Sequence, residues 1–185
     1  MKQKIVFYAL LLAMIVAVLF PTVSAYMVKQ TKKIQNVIEP GQVICKVNED
    51  YDGTKKTSVT VTNTSNIEAY IRVRIVSYWQ DSKGNTVAKT SEMPAFSVSN
   101  DWIADVNNHT YYCKKPIAVG AETPQLLENG SSITLKKDTL THNEVVYEYN
   151  QVVEIIAEAI QSKPESVVET YWKVTVTDGE ITSVN

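Results

Sequence analysis

Residues 69–79 alternate between two kinds of side chain, and this pattern constrains the fold more than any other feature of the chain. The odd-numbered positions carry Ala, Ile, Val, Ile, Ser and Trp in order, whereas the even-numbered positions include Arg72 and Arg74. Successive side chains of a β-strand point to opposite faces of a sheet. The segment is therefore predicted to be a strand with its odd face in the core and its even face in solvent.

Other segments show the same period of two and are separated by turn residues. Strands are predicted at 58–62, 111–117, 133–135, 172–176 and 181–184. Residues 147–160 fit both a strand and an amphipathic helix, and their β-branched residues favour the strand. Asp178-Gly179 predicts a hairpin turn.

A short helix is predicted at 164–170, with Ser162 as its cap and Pro164 in an early helical position. Many short strands with little helix are typical of a mostly β protein, here an antiparallel β-sandwich with one or two short helices.

The N-terminus has the three parts of a secretion signal. Lys2 and Lys4 precede an uncharged apolar run over 5–20, and small side chains at Val23 and Ala25 suit signal peptidase. Cleavage between Ala25 and Tyr26 is predicted. An uncleaved membrane anchor is the alternative, but the apolar run is shorter than the roughly 20 residues of a comfortable membrane span.

The predicted organisation is thus a signal peptide at 1–25, a flexible leader at 26–40 and a β-sandwich domain at 41–185. The charge is nearly balanced, with 18 Lys and Arg against 20 Asp and Glu. No basic stripe follows one face, so nucleic acid is not an expected partner.

Cys45 and Cys113 are the only cysteines of the chain. Thiols of exported proteins oxidise readily, so a disulfide between them is predicted. A structural zinc site that adds His109 and His142 is the alternative, although structural zinc ligands usually come in close pairs.

Three blocks of sequence resemble the TasA/camelysin-like exported proteins of Gram-positive bacteria. The first is Val-Thr-Asn-Thr-Ser-Asn-Ile-Glu-Ala-Tyr-Ile-Arg-Val at 61–73. The second is Trp102 followed by Tyr-Tyr-Cys-Lys-Lys-Pro-Ile-Ala-Val-Gly-Ala-Glu-Thr at 111–123 and the paired leucines at 126–127. The third is Ala-Glu-Ala-Ile-Gln at 157–161 with the later Trp172.

This resemblance implies a jelly-roll-like β-sandwich and export with processing by a SipW-type signal peptidase. It also implies a matrix or surface role, with fibres formed when a freed N-terminal segment completes a neighbour's sheet. Ser65 stands where the family usually has glycine, and Cys113 where tyrosine is common.

Catalytic chemistry is not expected, and neither a metal ion nor a cofactor is predicted. A zinc peptidase needs two histidines one helical turn apart with a glutamate between them. The chain has only His109 and His142, and it lacks the Gly-x-Ser-x-Gly elbow of serine hydrolases.

The expected function is that of a non-catalytic, secreted cell-surface or biofilm-matrix protein that associates with itself or with related subunits. A module that binds cell-wall glycan or another protein is the alternative, because the chain has ten tyrosines. A metallopeptidase is the third hypothesis.

Overall fold

The computed structural model describes residues 41–185, and in them the chain is mostly β with every ladder antiparallel. The strands are β1 Cys45–Tyr51, β2 Lys55–Asn63, β3 Ala69–Asp81, β4 Thr86–Val87, β5 Trp102–Asp105, β6 Thr110–Cys113, β7 Ile133–Thr134, β8 Lys137–His142, β9 Val145–Gln161, β10 Val174–Thr177 and β11 Glu180–Val184. A helix, α1, spans Glu165–Trp172.

The strands form a β-sandwich of two facing sheets plus a separate hairpin. One sheet has the order β1-β2-β7, the other β5-β6-β3-β9-β8 with β4 beside β3, and β10 pairs with β11. Apolar residues of both sheets and of the segment between β6 and β7 share one core, namely Val59, Val61, Ile71, Val73, Ile75, Trp102, Tyr111, Cys113, Ile117, Leu126, Leu127, Ile133 and Val153. The sequence-based prediction of an antiparallel β-sandwich is confirmed.

The longest ladder of the described residues joins β3 to β9. Its pairs run from Ala69↔Gln161 to Asp81↔Tyr149, a span of about 40 Å at about 3.3 Å per residue. The alternation that predicted β3 is present, since Ile71, Val73 and Ile75 are buried on the odd face. The strand prediction for 147–160 is also confirmed.

Part of the even face of β3 is buried, so the prediction that this whole face meets solvent was wrong. Tyr70 and Tyr112 belong to a second core with Val168, Trp172, Val174 and Ile181. We call α1, β10 and β11 the C-terminal cap, because they cover this end of the face. A later segment of the chain therefore supplies burial that the local pattern of β3 cannot reveal.

The helix also differs in detail from its prediction. It extends to Trp172, so that residue lies on α1 and not on the following strand. The N-cap position is held by Pro164 without a side-chain cap. The Ser162 hydroxyl instead donates to Glu68 Oε2 at 2.8 Å.

The turn between β2 and β3 holds the start of the described chain. Buried Asn63 donates from Nδ2 to the carbonyl oxygens of Ile67 and Ile117 at 3.0 and 2.8 Å. The Ser65 hydroxyl donates to the carbonyl oxygen of Ile44 at 2.9 Å and accepts from its N–H at 2.8 Å. Residues 42–44 are therefore fixed at the end of the molecule where β3 begins.

Candidate functional site

A β-hairpin arm at residues 139–148 projects past the end of β3. The β3–β9 ladder ends at Asp81↔Tyr149, while β8 and β9 continue to pair from Thr139↔Glu148 to His142↔Val145. All ten residues of the arm are exposed. Among the described residues, the strands of the arm pair only with each other, so the arm is the least buried part of the β5-β6-β3-β9-β8 sheet.

The arm is closed by a two-residue turn in which both residues have positive φ, Asn143 at 49° and Glu144 at 63°. Such a turn matches the right-handed twist of the flanking strands. Asparagine tolerates this conformation, whereas it is unfavourable for glutamate. The turn conformation thus favours a tightly twisted hairpin despite the absence of glycine.

Apolar side chains lie on both faces of the arm. Leu140, Val145, Val146 and Tyr147 are 54, 51, 59 and 45% exposed. The pairs Leu140↔Tyr147 and His142↔Val145 share one face, and Val146 is on the other. A hairpin that is apolar on both faces gains free energy when a partner covers it.

Both long edges of the arm are open in the part of the chain that the structure describes. β8 is the last strand of its sheet, and β9 has no second neighbour before Tyr149. Edges of this kind present unpaired N–H and C=O groups that can pair with another extended segment. The arm therefore has the backbone chemistry that strand addition requires.

A groove with a volume of about 380 Å³ lies at the base of the arm, lined by Val87, Ala88, Lys89, Asp138, Thr139, Leu140 and Tyr149. Lys89 forms an ion pair with Asp138. Its Nζ atom also lies 4.6 Å from the ring centroid of Trp79 and 5.3 Å from that of Tyr149. These contacts anchor the base of the arm to the sandwich.

The two cysteines lie on different sheets, Cys45 on β1 and Cys113 on β6, and both are free thiols in this structure. The disulfide therefore stays a prediction, which mass spectrometry of the alkylated, non-reduced protein tests. Burial raises the pKa of the Cys113 thiol to about 11. Burial, with a smaller effect of Glu158, also raises the pKa of Cys45. Raised pKa values keep both thiols in the protonated form at neutral pH.

The two histidines lie on different elements. His109 has a positive φ of 48° just before β6, and His142 ends β8 on the arm. In residues 41–185, no group of three or more His, Cys, Asp or Glu side chains is placed to hold a metal ion. The predicted cleavage site at Ala25 and Tyr26 lies outside the described residues.

The tyrosines do not form one exposed platform. Tyr70, Tyr111 and Tyr112 are buried in the two cores, while Tyr147 lies exposed on the arm. The three buried tyrosines fill the interior of the sheets, as aromatic residues of strands often do, and Tyr51 and Tyr171 are exposed like Tyr147.

The arm was not predicted from the sequence, because β8 is largely polar and exposed on both faces. One signal was available: Thr-Leu-Thr at 139–141 and Val-Val-Tyr at 145–147 flank a short polar stretch that contains Asn143. Two β-prone runs around an asparagine are typical of a hairpin.

No helix within residues 41–185 has the length and apolar character needed to cross a membrane. Comparisons with protein-family models, curated proteins and solved structures gave no match for this chain.

Proposed function

We propose that the protein is a non-catalytic structural component of the cell surface or extracellular matrix that assembles by strand addition at the arm. The observation that carries this proposal is the pair of open backbone edges on a hairpin with exposed apolar side chains on both faces. Soluble monomers usually protect such edges with charge, proline or a covering segment. Within residues 41–185, Val145, Val146 and Tyr147 include no charge or proline, and no strand outside the hairpin covers their edge.

The proposed donor is the leader of a second copy, residues 26–40, whose N-terminus is freed by cleavage between Ala25 and Tyr26. The leader carries Lys29, Lys32 and Lys33 against a single acidic residue, Glu39. The arm carries Glu144 and Glu148 and no lysine or arginine. Opposite charges favour the encounter of leader and arm, and Val28, Ile34, Val37 and Ile38 supply apolar side chains for it.

The positions of the two parts favour a chain of subunits over a closed dimer. Gln42 is bound at the β2–β3 turn, where its N–H donates to Asn66 Oδ1 at 2.7 Å. The arm lies at the other end of the β3–β9 ladder. A contact between opposite ends of two copies is heterologous, and such contacts repeat into filaments when they do not close into rings.

Electron microscopy and light scattering of residues 26–185 test this proposal. We expect filaments from this chain, and no species larger than a dimer from residues 41–185 or from the variants Leu140→Lys and Val146→Lys. Val119→Lys is the matched control, since Val119 is 56% exposed and lies outside the arm. Absence of filaments from 26–185 under all conditions, or equal assembly of 41–185, would overturn the proposal.

A second groove supports the alternative function of glycan binding. It has a volume of about 410 Å³, and most of its lining residues carry hydroxyl, amide or carboxylate groups: Thr57, Ser58, Ser99, Asp101, Gln125, Leu127, Glu128, Asn129 and Gly130. Gln125 is held rigidly, since Oε1 accepts from the N–H of Val59 at 2.9 Å and Nε2 donates to the Ser58 hydroxyl at 2.8 Å. A glycan array with wild type and Asp101→Ala tests this function, and binding that the variant retains counts against the groove.

A further inference from the structure

We propose that a second, lateral interface between copies of this chain lies on the outer face of the β3–β9 ladder, separate from the arm. We call this surface the lateral patch. It consists of three cross-strand pairs, Arg74↔Ile156, Val76↔Glu154 and Tyr78↔Val152.

The lateral patch is more apolar than an exposed sheet face needs to be. Val76 and Ile156 are 36 and 44% exposed, and Val152 and Tyr78 are partly exposed beside them. When one face of an antiparallel sheet is exposed to solvent, apolar and polar side chains usually alternate along each strand. The polar side chains then lie on the exposed face. Here four neighbouring side chains of the outer face have apolar bodies, as the core of a sheet-to-sheet contact does.

The C-terminal cap covers only the first part of this face. Its contacts reach Tyr70, Tyr112 and Arg72, and Arg72 lies with its Cζ atom 4.8 Å from the ring centroid of Trp172. Arg74, the next residue on the same face, is exposed. The lateral patch therefore begins where the intramolecular covering ends.

The two charges of the lateral patch indicate a second copy as the occupant. Arg74 and Glu154 lie on adjacent strands, one pair apart. Glu154 is held in place by the Tyr78 hydroxyl, which donates to its Oε1 at 2.6 Å. When two copies pack face to face about a twofold axis along the Val76–Ile156 diagonal, Arg74 of each copy lies opposite Glu154 of the other. Val76 and Ile156 of the two copies then meet between these charge pairs. The surface is thus complementary to itself, which an isologous interface requires.

The area is small, so the dimer is expected to be weak. Stable interfaces involve about 20–30 residues on each side, and the lateral patch supplies six. We expect a dissociation constant on the order of 100 µM. Such an interface suits lateral contacts between neighbouring subunits of an assembly, where many weak contacts act together.

Sedimentation equilibrium of residues 41–185 tests this inference without the leader that the arm proposal needs. The sandwich and its cap lie within one compact unit, Pro40–Asn185. We expect a monomer–dimer equilibrium in the wild type. Ile156→Lys should weaken the dimer roughly tenfold or more, because it places a charge in the apolar centre. Val106→Lys, at a side chain that is 67% exposed and off the patch, is the control and should have no effect.

Charge reversal gives the sharper result. A twofold dimer contains the contact between positions 74 and 154 twice. Arg74→Glu places two glutamates in each contact, and Glu154→Arg places two arginines there, so either variant alone should weaken the dimer by about tenfold or more. An equal mixture of the two variants should recover dimers, since every contact between unlike copies then joins Glu to Arg. A monomeric wild type up to about 1 mM, far above the expected constant, overturns the inference. The inference is also overturned if the mixture of the two variants forms no more dimer than each variant forms alone.

Discussion

Arg72 links strand β9 to the C-terminal cap. Its Nε and Nη2 atoms donate to Glu158 Oε2 at 2.9 and 2.5 Å. Its guanidinium lies over two rings, with Cζ 4.8 Å from the centroid of Trp172 and 5.9 Å from that of Tyr112. A single side chain on β3 therefore attaches both the neighbouring strand β9 and the C-terminal cap.

Arg72→Met is expected to lower the free energy of unfolding by about 2 kcal/mol, because it removes the ion pair and the stacking on Trp172 while it keeps an apolar side chain. Arg72→Lys should not restore the loss, since lysine lacks the planar fork. Urea unfolding at a concentration where the chain is monomeric provides the measurement. Arg74→Ala is the matched control and should change stability by less than about 0.5 kcal/mol. Equal effects at both positions would contradict the assigned role of Arg72.

The buried thiol of Cys113 makes the reduced protein sensitive to alkaline pH. Its pKa is raised from 9.0 to about 11, so the unfolded chain loses this proton first as the pH rises. Stability should be unaffected below about pH 9 and should then fall by roughly 2 kcal/mol up to about pH 11.

Urea unfolding of reduced protein between pH 8 and pH 11 checks the contribution of Cys113. Cys113→Ala should be less stable at pH 8, because a core side chain is truncated, and its stability should fall less steeply above pH 9. Cys45→Ala separates the two thiols, since Cys45 is only half-buried. A slope unchanged by Cys113→Ala would contradict this account.

The arm is the element that differs most from the rest of the sheet, and Glu144 is its least favourable position. Its φ of 63° is unfavourable for a residue with a Cβ atom. Glu144→Gly is expected to stabilise the arm by about 1 kcal/mol, seen as slower hydrogen exchange of the amides at 140–147.

Glu148→Gly is a matched control of opposite sign, because glycine weakens a strand by roughly 0.5–1 kcal/mol. It should speed up exchange of the same amides. Faster exchange in both variants would show that the turn conformation assigned to Glu144 is wrong.

Elements with a clear local pattern were predictable, and elements defined by distant contacts were not. β3 and the Asp178-Gly179 hairpin follow from alternation and turn chemistry, which are local. Trp172 was predicted on a strand because it alternates with Val174 and Val176, which is a local pattern. Its actual position depends on a distant contact, since its ring packs against that of Tyr112 with the centroids 5.8 Å apart. The arm was missed because strand pairing alone defines β8, and its side chains carry no burial pattern.

At the scale of the whole molecule, the sequence predicted the class of fold. It did not predict which strands are neighbours or which end of the sandwich carries the arm. Alternating strands and short turns are enough to indicate a β-sandwich. The placement of Gly41 at one end and the arm at the other depends on which strands become neighbours, and no local pattern specifies that order. The candidate site is a consequence of this order, because β9 extends past β3 and, within residues 41–185, has β8 alone beside it there.

Hydrogen exchange of residues 41–185 with and without a synthetic peptide of residues 26–40 tests strand addition at the arm most directly. We expect the peptide to slow exchange of amides within 139–148. A peptide with Lys29, Lys32 and Lys33 changed to Glu should bind at least tenfold more weakly, because it then repels Glu144 and Glu148. Unchanged exchange in the arm at saturating peptide, or protection only elsewhere in the sandwich, would contradict the account.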